Sequence, residues 1–183
     1  GTDGSYKQGA AVNITVEFSE AVTVVTTGGT PYLTTGAGNA SYVSGSGTAN
    51  WVFRVTVGPS TNIADLNYNT TLSLTLNGGT IKDVYRNSAT LTLPALDAAE
   101  SLGNQSNIRI DTTAPSPVYT LPTTPTNASA LMYTVTYSEV VTGLSSSSFT
   151  LGGTAGSSCT SKNLLTDDSI VYYLYAYNCG EGT

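Results

Sequence analysis

The chain has 183 residues with a net charge of −6; only 10% are charged and none is histidine. Without histidine the commonest general base, the Ser/His/Asp and Cys/His nucleophile systems and every His-containing metal site are excluded. The six cations (Lys7, Arg54, Lys82, Arg86, Arg109 and Lys162) are scattered, which argues against a nucleic-acid partner. No apolar run reaches the roughly 18 to 20 residues of a membrane-spanning helix, and nothing resembles a signal peptide, so a secretion signal is expected outside this sequence.

Strict alternation begins at Val12, Ile14, Val16 and Phe18, set against Asn13, Thr15 and Glu17, and reads as a half-buried strand. The same period returns in Trp51, Phe53, Val55 and Val57, in Leu72, Leu74 and Leu76, in Leu91 and Leu93, and in Ile108 and Ile110. Turn residues separate these runs, among them Gly28-Gly29 and Asn77-Gly78-Gly79. Short strands at this spacing predict an all-β sandwich or barrel. The pattern stops at Asp111-Thr112-Thr113-Ala114-Pro115-Ser116-Pro117, where two prolines in three residues stiffen the chain. Domains are therefore expected at residues 1–111 and 118–183, joined by a linker at 112–117.

In the second segment alternation resumes at Leu131, Tyr133, Val135 and Tyr137 and again at Val171, Tyr173, Tyr175 and Tyr177. Val16-Glu17-Phe18-Ser19-Glu20-Ala21-Val22 aligns with Val135-Thr136-Tyr137-Ser138-Glu139-Val140-Val141, an internal tandem repeat. On this alignment the strand-like Val118–Leu121 has no equivalent in the first domain, and the second is shorter beyond the match. The first domain is thus expected to lack its first strand and the second its last ones. Such strands would come from a longer polypeptide or from a neighbouring subunit of a filament.

Asp3-Gly4-Ser5-Tyr6-Lys7-Gln8-Gly9, Phe18-Ser19-Glu20-Ala21-Val22, Leu76-Asn77-Gly78-Gly79-Thr80-Ile81-Lys82-Asp83 and Ile110-Asp111-Thr112-Thr113-Ala114-Pro115 together resemble the bacterial immunoglobulin-like repeats of giant surface adhesins and multi-repeat cell-wall proteins. The second segment resembles a related, actinobacterial-like repeat through Tyr137–Leu144, Phe149-Thr150-Leu151 and its Cys pair. The resemblance implies tandem immunoglobulin-like sandwiches, the second incomplete, at an extracellular or cell-surface location. Such repeats carry an Asp-x-x-Gly-Asn turn; here it reads Asp83-Val84-Tyr85-Arg86-Asn87, with Arg in place of Gly.

Several constellations invite a functional reading. Asp3, Glu20, Asp83 and Asp111 stand at strand ends and at the linker, where hard-cation ligands belong, so calcium is the expected metal; the alternative is that they are turn residues satisfying nearby backbone. Asn-x-Ser/Thr sequons at Asn13, Asn39, Asn69, Asn104 and Asn127 are about as many as chance gives at this composition. Cys159 and Cys179 are too few for a thiolate cage and are expected to form a disulfide across adjacent antiparallel strands. Tyr173, Tyr175 and Tyr177 share one face and are expected to pair with Tyr133 and Tyr137 across strands; they could instead offer rings to a glycan. Glu17 and Glu20 as a glycosidase pair find no supporting residues, and no enzyme is expected. The expected role is a spacer module whose partners are neighbouring repeats or filament subunits, the alternative an adhesin module binding a surface glycan.

Overall fold

The computed structural model describes residues 2–121, 130–152 and 158–180. Two units divide the chain, Gly1–Thr113 and Ala114–Thr183. The first holds β1 (Gly4–Tyr6), β2 (Ala11–Val25), β3 (Tyr32–Thr35), β4 (Gly38–Ser44), β5 (Thr48–Thr56), β6 (Leu74–Thr75), β7 (Thr80–Lys82), the single helical turn α1 (Leu102–Gln105) and β8 (Ile108–Ile110). An antiparallel sheet runs in the order β6-β3-β4-β5-β2-β7, while β1 and β8 form a separate parallel pair. Ile63 bridges Ile110, and the Leu66 N–H donates to the Ile108 carbonyl, so the segment around residues 63–66 flanks β8.

Alternation does what the sequence implies. Val12 and Ile14 of β2 and Trp51, Phe53 and Val55 of β5 point inward and are buried, joined by Leu33, Leu66, Ile108 and Ile110. Burying each such side chain contributes roughly 1.5–3 kcal/mol, the largest source of order in this unit. Phe18 and Tyr42 pack their rings on Trp51 with centroids 5.2 and 4.9 Å apart. Behind the core, two glycine turns meet backbone to backbone: a Cβ on Gly29 would sit 1.7 Å from the Asn77 carbonyl oxygen, and one on Gly28 2.2 Å from that of Gly78. Those turns need glycine for lack of space, beyond the freedom it gives a turn.

The structure departs from or adds to that reading at three points. Gly4–Tyr6, too short for alternation to reveal, forms a strand beside β8, while no described residue takes on β2 the place that Val118–Thr120 takes on β10. Of Leu72, Leu74 and Leu76 only Leu74 is buried in a strand; Leu72 is 73% exposed because its N–H turns to the Thr70 hydroxyl and Ser73 closes a turn on the Thr70 carbonyl. The expected linker at 112–117 is shorter. Thr112 and Thr113 are hydrogen-bonded to Thr61 and Asn62 of the first unit, and Pro117 already belongs to the next sheet.

The second unit contains β9 (Pro117–Thr120), β10 (Ala130–Tyr137), a 3-10 turn at Ser146–Ser148, β11 (Ser161–Thr166) and β12 (Val171–Tyr177), with an antiparallel sheet ordered β11-β12-β10-β9. Pro117 is tolerated because β9 is an edge strand. Val135, Tyr172, Leu174 and Ala176 are its buried hydrophobics among the described residues.

Candidate functional site

Three of the four acids proposed for calcium, Asp3, Asp83 and Asp111, serve a local structure. Asp3 accepts the Asn107 N–H at 2.9 Å, tying the start of the unit to β8. Asp111 pairs with Arg109 at 3.0 Å and accepts the Thr113 N–H. Asp83 accepts both the backbone and the side-chain N–H of Asn87 at 2.7 Å, and that amide holds its carboxyl below the ordinary value of 3.8. Glu20 is exposed on β2. Among the described residues no group of three or more His, Cys, Asp or Glu is placed to hold a metal ion, so the structure does not gather these four. Glu17 and Glu20 are likewise both exposed on β2.

Of the sequons, Asn13 accepts from the Arg54 guanidinium, Asn39 from the Thr34 hydroxyl, and Asn104 in α1 donates to the Ala98 carbonyl, so these three amides are engaged. Asn69 is exposed in the loop after Tyr68, and Asn127 lies outside the described residues.

Cys159 and Cys179 are bonded. The register explains it: Ser161 lies opposite Tyr177, and running that ladder two residues further brings Cys159 opposite Cys179, with the Gly180 N–H donating to the Ser158 hydroxyl one step beyond. Adjacent antiparallel strands hold the two sulfurs at one rung, closing the open end of the β11–β12 hairpin.

The internal repeat becomes structural at the Phe/Tyr-Ser-Glu motif. In β2, Glu17 is opposite Asn50 and Val22 opposite Thr48, so five steps along β2 match two along β5, a pronounced bulge. In the second unit Thr136 is opposite Val171 and the Val141 N–H donates to the Ser169 carbonyl, again five steps against two. The aromatic pair follows the same register. Phe18 meets Trp51 edge-to-face at 5.2 Å, and Tyr137 meets Tyr172 edge-to-face at 5.9 Å. Tyr172 also donates its hydroxyl to the Val141 carbonyl at the end of the bulge. The sequence alignment located the motif but not its bulge, because pairing partners lie far along the chain.

This equivalence exposes one difference. On the outer face of the first sheet Asn13 opposes Arg54, with a hydrogen bond of 2.8 Å, and Thr15 opposes Val52. The matching rungs of the second sheet are Met132 opposite Tyr175 and Thr134 opposite Tyr173. Tyr173, Tyr175 and Tyr177 do share a face, yet their cross-strand partners are Thr134, Met132 and Ala130, with Leu165, Asn163 and Ser161 on the other side. The expected pairing with Tyr133 and Tyr137 is therefore corrected: those two belong to the inner face, since one residue of register moves a side chain to the opposite side of the sheet. Among the described strand residues the outer face of the second sheet carries no charge, and Met132 and Leu165 are 44% and 52% exposed on it.

The bulged strand pair with its edge-to-face rings recurs in both units, and in the first the Trp-bearing strand β5 is buried against the layer that holds β1 and β8, the arrangement of an immunoglobulin-type sandwich module. The chain belongs to the bacterial Ig-like domain family, whose family model matches residues 2–96, more than half of its length. Comparison with curated proteins gave no match, and comparison with solved structures gave none. Domains of this family are typically non-catalytic modules of bacterial surface proteins, extracellular or surface-exposed. No helix among the described residues is long and apolar enough to cross a membrane.

Proposed function

We propose that the chain is a structural spacer of a repetitive extracellular surface protein or filament, linking or presenting other domains at the cell surface. The observation that carries this reading is the recurrence of one bulged strand pair in both units, with the same register and an edge-to-face aromatic pair at equivalent positions. Asp3, Asp83 and Asp111 support it by holding turns and strand ends of the module together. The test is a display experiment in which increasing numbers of copies of this chain are placed between a membrane anchor and an epitope. Epitope height should rise by a constant step per copy; a height independent of copy number rejects the spacer role.

A second reading rests on the uncharged outer face of the second sheet. Tyr173, Tyr175 and Tyr177, flanked by Asn163, Thr134 and Ser161, offer apolar ring surface beside hydroxyl and amide groups, suited to a neutral glycan. Retention on immobilised neutral polysaccharides, abolished by Tyr175→Ala with the melting temperature unchanged, supports it. Absence of saturable retention by the unaltered protein rejects it.

A further inference from the structure

One side of β2 has no neighbour along its first half. The Ala10 carbonyl accepts the Val57 N–H, so by alternation the backbone groups of Ala11, Asn13, Thr15 and Glu17 point away from β5. On that side β7 joins β2 only from Thr23 onward, and no other described residue pairs there. Val16 and Phe18, next to this open edge, are only half buried.

The second unit shows the same edge filled. There Thr134 is opposite Thr120 and Thr136 opposite Val118, on the side of β10 that matches the open side of β2. Ser138, the counterpart of Ser19, grips the incoming strand twice, donating its N–H to the Ser116 carbonyl and accepting the Ser116 N–H on its hydroxyl, both at 3.0 Å. Pro117 falls opposite Tyr137, one step out of phase, so its missing N–H faces away from β10 and no ladder bond is lost. Tyr119, opposite Val135, stands on the inner side of the sheet and is 59% exposed.

We propose that the edge from Ala11 to Ser19 is the seat of an extended linker strand of the Ser116–Thr120 type, antiparallel to β2, with Ser19 as its clamp. Its source is the segment that leads into the unit in a tandem array, because in the second unit the strand on this edge is the stretch that enters it. Delivery within one chain raises the local concentration of such a strand far above that of a free one. A residue opposite Val16, in the place Tyr119 takes opposite Val135, covers the half-buried Val16 and Phe18. The inference rests on the tandem-repeat character of the chain and not on the spacer role.

The test grafts a copy of residues 114–120 ahead of Gly1 of the full chain and follows amide hydrogen exchange by NMR. In the grafted protein the Thr15, Glu17 and Ser19 amides should exchange about tenfold more slowly or better, as amides do when an exposed edge enters a ladder. Ser19→Ala should reverse part of that protection while leaving the ungrafted chain's exchange unchanged. A control graft with proline at the positions copied from Val118 and Thr120, whose N–H groups must reach β2, should give none. Equal exchange with and without the graft overturns the proposal, as does equal protection by the proline control. Protection of the same amides in the ungrafted chain that grows with protein concentration overturns it too, because a second copy would then be the occupant.

Discussion

In the first unit β2 and β5 bury Val12, Ile14, Trp51 and Phe53 beneath a second layer formed by β1, β8 and the segment near Leu66; in the second, β10 and β12 repeat those rungs with Leu131, Tyr133, Tyr172 and Leu174. The bulge and the aromatic pair are common to both, yet the means of stabilisation differ. Sixteen buried hydrophobics form the first core, against four in the second unit among the described residues, where a disulfide closes the hairpin. A bulged strand pair therefore specifies the local geometry of these repeats, while the free energy that holds it comes from whatever covers the inner face.

The largest test of that contrast is Trp51→Ala, which should cost the first unit about 3–5 kcal/mol, the range for truncating a fully buried large aromatic. Far-UV circular dichroism in denaturant should show one transition moving and the other fixed; equal movement of both would mean the units unfold together. Reduction of Cys159–Cys179 should do the reverse. Opening a cross-link between residues 20 apart should cost the second unit about 3 kcal/mol in the chain-entropy account, and leave the first transition in place.

A smaller effect of opposite sign is expected at Arg86. It occupies the Gly position of the Asp-x-x-Gly-Asn turn with φ of 68°, a left-handed conformation that costs a side-chain-bearing residue about 1–2 kcal/mol. Arg86→Gly removes that cost but adds roughly 0.5–1 kcal/mol of unfolded-state entropy, so a net gain of about 0.5 kcal/mol should appear as a small rise in the first unit's melting temperature. The smallest effect is on acid stability. Asp83, held low by the Asn87 amide, and Asp168, held low by the Val171 and Ile170 N–H groups, each contribute stability that is present above the ordinary 3.8 and lost as pH falls through their depressed folded values. Asp83→Asn should make the first unit's acid-unfolding curve shallower below that pH and leave the second unit's curve alone.

Much of this was legible in the residues. Alternation identified β2, β5, β10 and β12, because each exposes one face and a period of two records that directly. The Phe/Tyr-Ser-Glu motif marked the repeat, and the cysteine pair its disulfide. The rest depended on pairing, which sequence does not carry. β1 is three residues long, Leu72 continues an apolar period through a turn, and the tyrosines of β12 find partners set by register. The calcium expectation rested on acids at strand ends and the linker; Asp3, Asp83 and Asp111 bond to Asn107, Asn87 and Arg109, contacts that the sequence does not show, while Glu20 is exposed on β2.

The parallel pair of β1 and β8 has a mechanical meaning. Gly4–Tyr6 and Ile108–Ile110 run in the same direction, bonded side by side, and the Asp111 N–H donates to the Tyr6 carbonyl beyond the last rung. A pull that draws the two ends of the unit apart drags these strands past each other along their length. Their hydrogen bonds, and the Asp3–Asn107 contact at the other end, then carry the load together instead of opening one at a time. Tension is thus met in shear at the seam where chain enters and leaves, before any of it reaches Trp51.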